Sequence, residues 1–331
     1  MIFYISILII LILCSFGKYS KLKSFLAFLI LVLMISLKGE VGPDYYGYLV
    51  RYDNFDPIKS FFEAKGEYSW YLIEYITNLN QWSYQMYTVF TALIGVGFLV
   101  LSLKKIKYVG FLVFIFQLIF VQLGLSGMRQ FIAACILVYA VTIYLFENQK
   151  SIIKFILLII FAASFHASAL AMTFILPFLI KLNKKQYFLI FLIAIIGFSS
   201  EILIDNFDKY DTRYLQGSRF SSGAWIRFAI TTVIIKFGLI KSNRKLYYLG
   251  LSILVFGLIL GLVNTIALHR FNYYLLPIAC LILIRNYKFS MIRHKTIKYV
   301  YVMSILYLLF WFNLSKYADS YVPYRFFFNL I

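Results

Sequence analysis

The chain has 331 residues, 63% of them hydrophobic and only 14% charged. Soluble domains carry about a quarter charged residues, and no water-soluble fold hides this much apolar surface. The formal charge of +19 would suggest nucleic acid in a soluble chain. In a chain this apolar it raises instead the question of which side of a bilayer the charges occupy, so the sequence predicts an all-α polytopic membrane bundle with the lipid bilayer, and no nucleic acid, as partner.

A helical span needs about 20 apolar residues, within a range of about 17–25. The first run, 1–16, has no basic leader and no small-residue cleavage site before Lys18, so it reads as a retained span rather than a signal peptide. Further runs lie near 24–37, 86–103, 110–124, 129–146, 154–165, 169–180, 187–200, 225–240, 247–262, 269–284 and 299–314. Residues 154–180 read either as two short spans meeting at His166 or as one bent span. The expectation is about 10–12 transmembrane helices in a single domain, 1–331. Cys14, Cys135 and Cys280 all lie in apolar runs, at spacings that exclude a disulfide framework or a CxxC metal pair.

The connections alternate in charge. Segments 17–23, 104–109, 147–154, 181–186, 241–246 and 285–298 carry 19 basic residues and one acid, Glu147. The opposite set, 38–85, 125–129, 201–227, 263–270 and 315–331, carries 12 of the 13 acids and 12 basic residues. Positive loops stay in the cytoplasm, so the second set is expected outside, with both termini. A miscounted span would put the termini inside without changing the loop assignment. Two outer loops stand out, 38–85 and 201–224. Within the first, "SWYLIEYITNL" has helical period, with Trp70, Ile73, Ile76 and Leu79 on one face of an interfacial or re-entrant helix.

The residues able to do chemistry fall on this outer side. In "GPDYYGYLVRYDNFD", Asp44 is surrounded by Tyr45, Tyr46, Tyr48 and Tyr52, with Arg51 and Asp53 following. Aromatic faces stack on sugar CH groups while carboxylates accept hydroxyl hydrogen bonds; an interfacial aromatic belt with a solvated acid gives the same pattern. "SGMRQ" places Arg129 and Gln130 at the start of a span, where a helix N-terminus favours anions and a guanidinium adds a bidentate fork for phosphate. An arginine snorkelling to headgroups fits the same position. In "SFHASA", His166 interrupts an apolar stretch between Ser164 and Ser168. It suits either a proton acceptor or a helix–helix hydrogen bond. Asp205, Asp208 and Asp211 fall on one helical face, as a divalent-ion site or a solvated surface, and no metal is assigned to them. Arg213, Arg219 and Arg227 read as anion clamps. His269 and Arg270 close the series at the outer end of a span, pointing about 100° apart on a helix. No P-loop, GxSxG, HExxH or Cys/His metal set is present.

The order of these motifs carries a resemblance. An outer G-x-D-Y-x-x-Y, then "EYSWYLIEYI", "SGMRQ" opening a span, "SFHASAL" after it and "HRFNYY" near the end are similar to the EpsG-type branch of the Wzy polysaccharide polymerases, over roughly 40–285. The resemblance implies a GT-C-like membrane glycosyltransferase in the bacterial inner membrane, with its site facing outwards. It moves a growing glycan from undecaprenyl pyrophosphate onto the sugar of an incoming lipid-linked repeat unit, without nucleotide sugar, metal or other cofactor. Partners implied are the lipid-linked donor and acceptor and a chain-length regulator protein; products are O-antigen, capsule or exopolysaccharide.

On this chemistry Arg129, with Gln130, Arg219 and Arg270, is expected to bind the pyrophosphate. His166 is the first candidate for the base and Asp44 the second. Tyr45, Tyr48, Arg51, Glu67, Trp70 and His269 are expected to contact sugars. Both outer loops are shorter than such polymerases often carry, which leaves open which loop holds the acceptor. The rival readings are a ligase of related chemistry, a lipid-linked sugar transporter or flippase, and a non-catalytic scaffold. A transporter calls for polar residues through the whole bilayer, whereas here they gather on one side.

Overall fold

The computed structural model describes residues 1–63, 67–147, 152–175, 221–239, 244–290, 294–315 and 317–327. Among them the chain is helical and contains no β-strand. In order the helices are α1 (Ile2–Ser15), α2 (Lys21–Ser36), the short α3 (Tyr45–Asp53), α4 (Pro57–Glu63) and α5 (Tyr68–Leu79), then α6 (Tyr84–Ile106) and α7 (Gly110–Ile115). The last runs on as a π-helix, Phe116–Gly124. After these come α8 (Met128–Phe146), α9 (Ile152–Ala163), a 3-10 stretch Ala167–Ile175, α10 (Ser222–Leu239), α11 (Arg244–Val263), α12 (Thr265–Ser290) and α13 (His294–Leu314).

α6, α8, α10 and residues Thr265–Asn286 of α12 are long and apolar enough to cross a bilayer, and five shorter apolar helices accompany them. The chain is a multi-pass membrane protein. Each predicted run within the described residues coincides with a helix; 187–200 and the end of 169–180 lie outside them. Around His166 the chain takes the two-segment form: α9 ends at Ala163, a turn follows, and the 3-10 stretch starts at Ala167.

The helix ends follow local chemistry. Ser20 accepts from the Lys23 amide at the start of α2, and Asp56 accepts from Ile58 and Lys59 behind Pro57 at the start of α4. Lys104 and Lys105 occupy the last turn of α6, where the dipole favours cations.

The chain forms two compact units. One comprises Met1–Tyr139, Ser164–His166 and His294–Ile331. In it α2 packs along α6, α1 and α13 pack on α7, and α3 and α5 pack on α6. The π-helix is buried throughout and leads into the turn that opens α8. Residues 317–327 return to the segment after α2. Gly39 N–H donates to Arg325 O at 2.8 Å, Phe327 N–H to Leu37 O at 3.1 Å and Gly42 N–H to Ser320 O at 2.8 Å. An Arg325–Glu40 ion pair at 2.7 Å joins them.

The other unit comprises Ala140–Ala163 and Ala167–Arg293. Here α10 and α11 both pack on α12, and α9 packs on the 3-10 stretch. Between helices in lipid, close approach and hydrogen bonds replace the hydrophobic drive. Gly257 and Gly261 of α11 lie against the rings of Phe228 and Trp225 on α10. Asn272 and Asn286 of α12 donate to the carbonyls of Ala224 and Gly238 on α10, at 2.9 and 2.8 Å.

α5 differs from its predicted register. Trp70 and Ile73 are buried, but Ile76 and Leu79 are exposed, and the buried face runs Trp70, Ile73, Glu74, Thr77. Steps of three residues fall about 60° short of a full helical turn, so the third and fourth members of that series rotate off the face. An acid takes their place on it.

Candidate functional site

The turn 124–127 organises the first unit's polar residues. Gly42 approaches it so closely that a Cβ would meet the Leu125 carbonyl oxygen at 2.6 Å, and its φ of +92° is one that only glycine adopts readily. That approach lays the segment 38–44 along the turn. Ser126 Oγ donates to Asp44 Oδ2 at 2.5 Å. Asp44 occupies the residue before α3 without its side chain capping the helix. From the other side Lys38, 1% exposed, sends Nζ to the carbonyls of Leu125 at 2.8 Å and Gly124 at 3.3 Å. Burial lowers this amine from its ordinary value to about 7, with Asp44 pulling it the other way.

Immediately after the turn, Arg129 projects from the start of α8. Its Nη1 donates to Glu67 Oε2 at 2.5 Å. The second oxygen, Glu67 Oε1, accepts from His166 Nδ1 at 2.7 Å. One carboxylate therefore holds a guanidinium with one oxygen and an imidazole with the other. Glu67 sits just before α5 with no side-chain bond to the helix end. The His166 turn is fastened to the same helix start, since Ser69 N–H donates to Ser164 O at 3.0 Å and the two serine hydroxyls lie 2.6 Å apart. Side-chain exposures of 36% for Arg129, 18% for His166 and 12% for Glu67 leave the group open at the arginine.

Tyr48 joins these parts. Burial raises its hydroxyl pKa, the Arg129 guanidinium opposes the rise, and the carboxylates of Asp44 and Glu67 add to it. Its ring lies 5.6 Å from that of Trp70. Trp70, 1% exposed, donates Nε1 to Glu74 at 2.8 Å. Arg51 donates Nε and Nη2 to the same carboxylate at 3.2 and 2.9 Å. The Glu74 side chain is 1% exposed, and burial raises its pKa while Arg51 opposes the rise. Tyr45 is buried edge-on to Tyr46 and Tyr84.

The structure thus brings Asp44, Tyr48, Arg51, Glu67, Trp70, Arg129 and His166 into one connected network, with Gln130 following on the helix. Arg219 lies outside the described residues, as do Asp205, Asp208, Asp211 and Arg213. Among the described residues no cluster of His, Cys, Asp or Glu is suited to hold a metal. In the second unit His269 meets Arg227, whose Nη1 lies 3.0 Å from His269 Nδ1 and whose guanidinium stacks 5.4 Å from the Tyr273 ring centre. Arg227 is 5% exposed; Arg270, next to His269, is half-buried.

The EpsG family model matches residues 21–326, nearly the whole chain. The chain belongs to the EpsG family. This is a family of polysaccharide-polymerase-type membrane proteins, and the motif order read from the sequence agrees with it. No curated protein and no solved structure showed a significant match. Arg129, Glu67 and His166 all lie within the matched residues.

Three residues that hold this network together are not singled out from the sequence. Glu74 stands within the quoted "EYSWYLIEYI", four residues after Trp70 and so one turn on along the same face, but nothing in that stretch pairs it with Arg51. Lys38 directly follows the apolar run "LVLMISL" and looks like an ordinary span flank. Ser126 stands within a quoted motif, but its partner Asp44 is 82 residues away.

Proposed function

We propose that this EpsG-family protein transfers a glycan from undecaprenyl pyrophosphate to a sugar hydroxyl of a second lipid-linked repeat unit, at the outer face of the bacterial inner membrane. The observation that carries the reading is the bridge by Glu67 between Arg129 and His166. Transfer breaks the bond between the anomeric carbon and the pyrophosphate and forms one to the acceptor oxygen. The acceptor proton must leave, and negative charge grows on the lipid pyrophosphate. Arg129, open to the surface at a helix N-terminus, stabilises that charge. With Nδ1 tied to the carboxylate, His166 takes the proton through Nε2. Glu67, expected from sequence to contact sugar, is given a second task here: it orients the imidazole and holds the guanidinium until the pyrophosphate arrives. Asp44, held by Ser126, is the alternative base. Tyr48 faces the sugar, while the buried Trp70, Tyr45 and Arg51–Glu74 pair support it from behind.

The test is a polysaccharide gel from a strain lacking the gene, complemented with variants at matched protein levels. Loss of the gene should abolish the ladder and leave single repeat units on their acceptor. Arg129→Ala should cut polymer by about a hundredfold, in the range seen when one oxyanion-stabilising donor is removed, and His166→Ala by a similar factor. Glu67→Gln should lower polymer while protein levels hold. A full ladder with Arg129→Ala removes the assignment. Long lipid-linked chains without attached glycan would indicate a ligase, and single units trapped on the cytoplasmic leaflet a flippase.

A further inference from the structure

The start of α2 lies beside the end of α6, and there the two helices part to leave a groove of about 590 Å³. Its walls are apolar: Phe25 and Phe28 on α2, Leu93 and Gly97 on α6. Phe25 is 57% exposed and Leu93 41%, so the walls are not closed by the protein. Gly97 keeps the floor open, because a Cβ there would meet no atom within 4 Å. At one end stand Lys21, in the first turn of α2, and Lys104, in the last turn of α6. Among the described residues neither ammonium makes a hydrogen bond or ion pair. Lys23, two residues along α2, shows the contrast: its Nζ donates to Phe16 O at 2.5 Å and Lys18 O at 3.4 Å.

We propose that this groove binds an anionic phospholipid, with the phosphate between Lys21 and Lys104 and one acyl chain along Phe25, Phe28, Leu93 and Gly97. Charge complementarity selects this occupant. Two ammonium groups at the mouth of an apolar slot match one phosphate above one hydrocarbon chain, and the positive end of the α2 dipole adds to the attraction. The adjoining segments 17–23 and 104–109 hold six lysines and no acid, and juxtamembrane lysines draw anionic lipid to a membrane surface. A zwitterionic headgroup brings a cation of its own against both lysines and gains less.

The experiment uses the purified full chain with phosphatidylglycerol or phosphatidylcholine as probe. It reads lipid retained in native mass spectrometry and the melting temperature. Phosphatidylglycerol should be retained and should raise the melting temperature more than phosphatidylcholine. Lys21→Gln with Lys104→Gln should reduce that retention about tenfold, equivalent to about 1.4 kcal/mol. Gly97→Phe should displace the chain by filling the floor. Lys18→Gln with Lys107→Gln removes the same charge from the same side outside the groove and should leave retention unchanged. Equal retention of the two lipids, or an equal loss in both double variants, overturns the proposal. So does a polyprenyl phosphate that displaces phosphatidylglycerol, since it would make the groove a site for a different lipid. None of these readouts depends on polymerase activity.

Discussion

Lys38 shows how a single side chain can set a pH dependence. A lysine in water stays charged to about pH 10.4, whereas burial brings this one down to about 7. In the folded chain the amine releases its proton above that point, while in the unfolded chain it keeps it. The unfolded state then binds more protons, so stability rises with pH between about 7 and the ordinary lysine value, by up to about 1.4 kcal/mol per pH unit. Melting temperature followed in detergent from pH 6.5 to 9 should climb in the parent chain. In Lys38→Met that part of the climb should vanish, and an unchanged slope would mean the amine does not titrate there. The same buried position explains why the residue hides in the sequence. A lysine after an apolar run reads as a flank in headgroups, and only the fold shows two carbonyls above it. Glu67 is similar. It lies 62 residues from Arg129 and 99 from His166, so a local pattern reveals three polar residues but not that one carboxylate joins them.

Elements were far more legible. An apolar run in lipid must satisfy every backbone group within itself, so it has no alternative to a helix, and α1, α6, α8, α10 and α13 fall where the runs predict. What a run does not reveal is the face it buries. α5 illustrates the loss, because Glu74 lies on its buried side by virtue of Arg51 and Trp70, both of which are expected from sequence to contact sugar. The α10–α11 contact makes a prediction at this scale. At Gly257 any side chain enters the Phe228 ring, so Gly257→Leu should overpack the pair and cost about 1–3 kcal/mol. At Gly223, in the first turn of α10, a Cβ meets nothing within 4 Å. Gly223→Ala should therefore be neutral or stabilising by up to about 1 kcal/mol. Melting temperatures of the two variants in one detergent check both, and equal loss at the two glycines would show that close approach does not hold this pair.

Across the whole molecule the polar groups and the charge pattern make a single claim about sidedness. The network around Arg129 belongs to the acid-bearing set of connections, and the lipid groove to the basic set. Cys135 and Cys280 are fully buried, so replacing Cys14 with serine gives a quiet background for labelling. On it, Asn54→Cys should react with a membrane-impermeant maleimide from outside the inner membrane. Lys18→Cys should react only after the membrane is opened. Labelling of both from one side would break the alternation on which the orientation rests.

The return of residues 317–327 to the segment after α2 bears on the order in which the protein matures. Arg325 meets Glu40 across 285 residues of chain, so the ledge leading to Asp44 is completed only by residues synthesised long after it. Until α13 has been threaded into the bilayer, the strip from Leu37 to Gly42 lacks the backbone partners that hold it in place. A nascent chain therefore cannot complete the Asp44 ledge before the helices that precede residue 317 have been made.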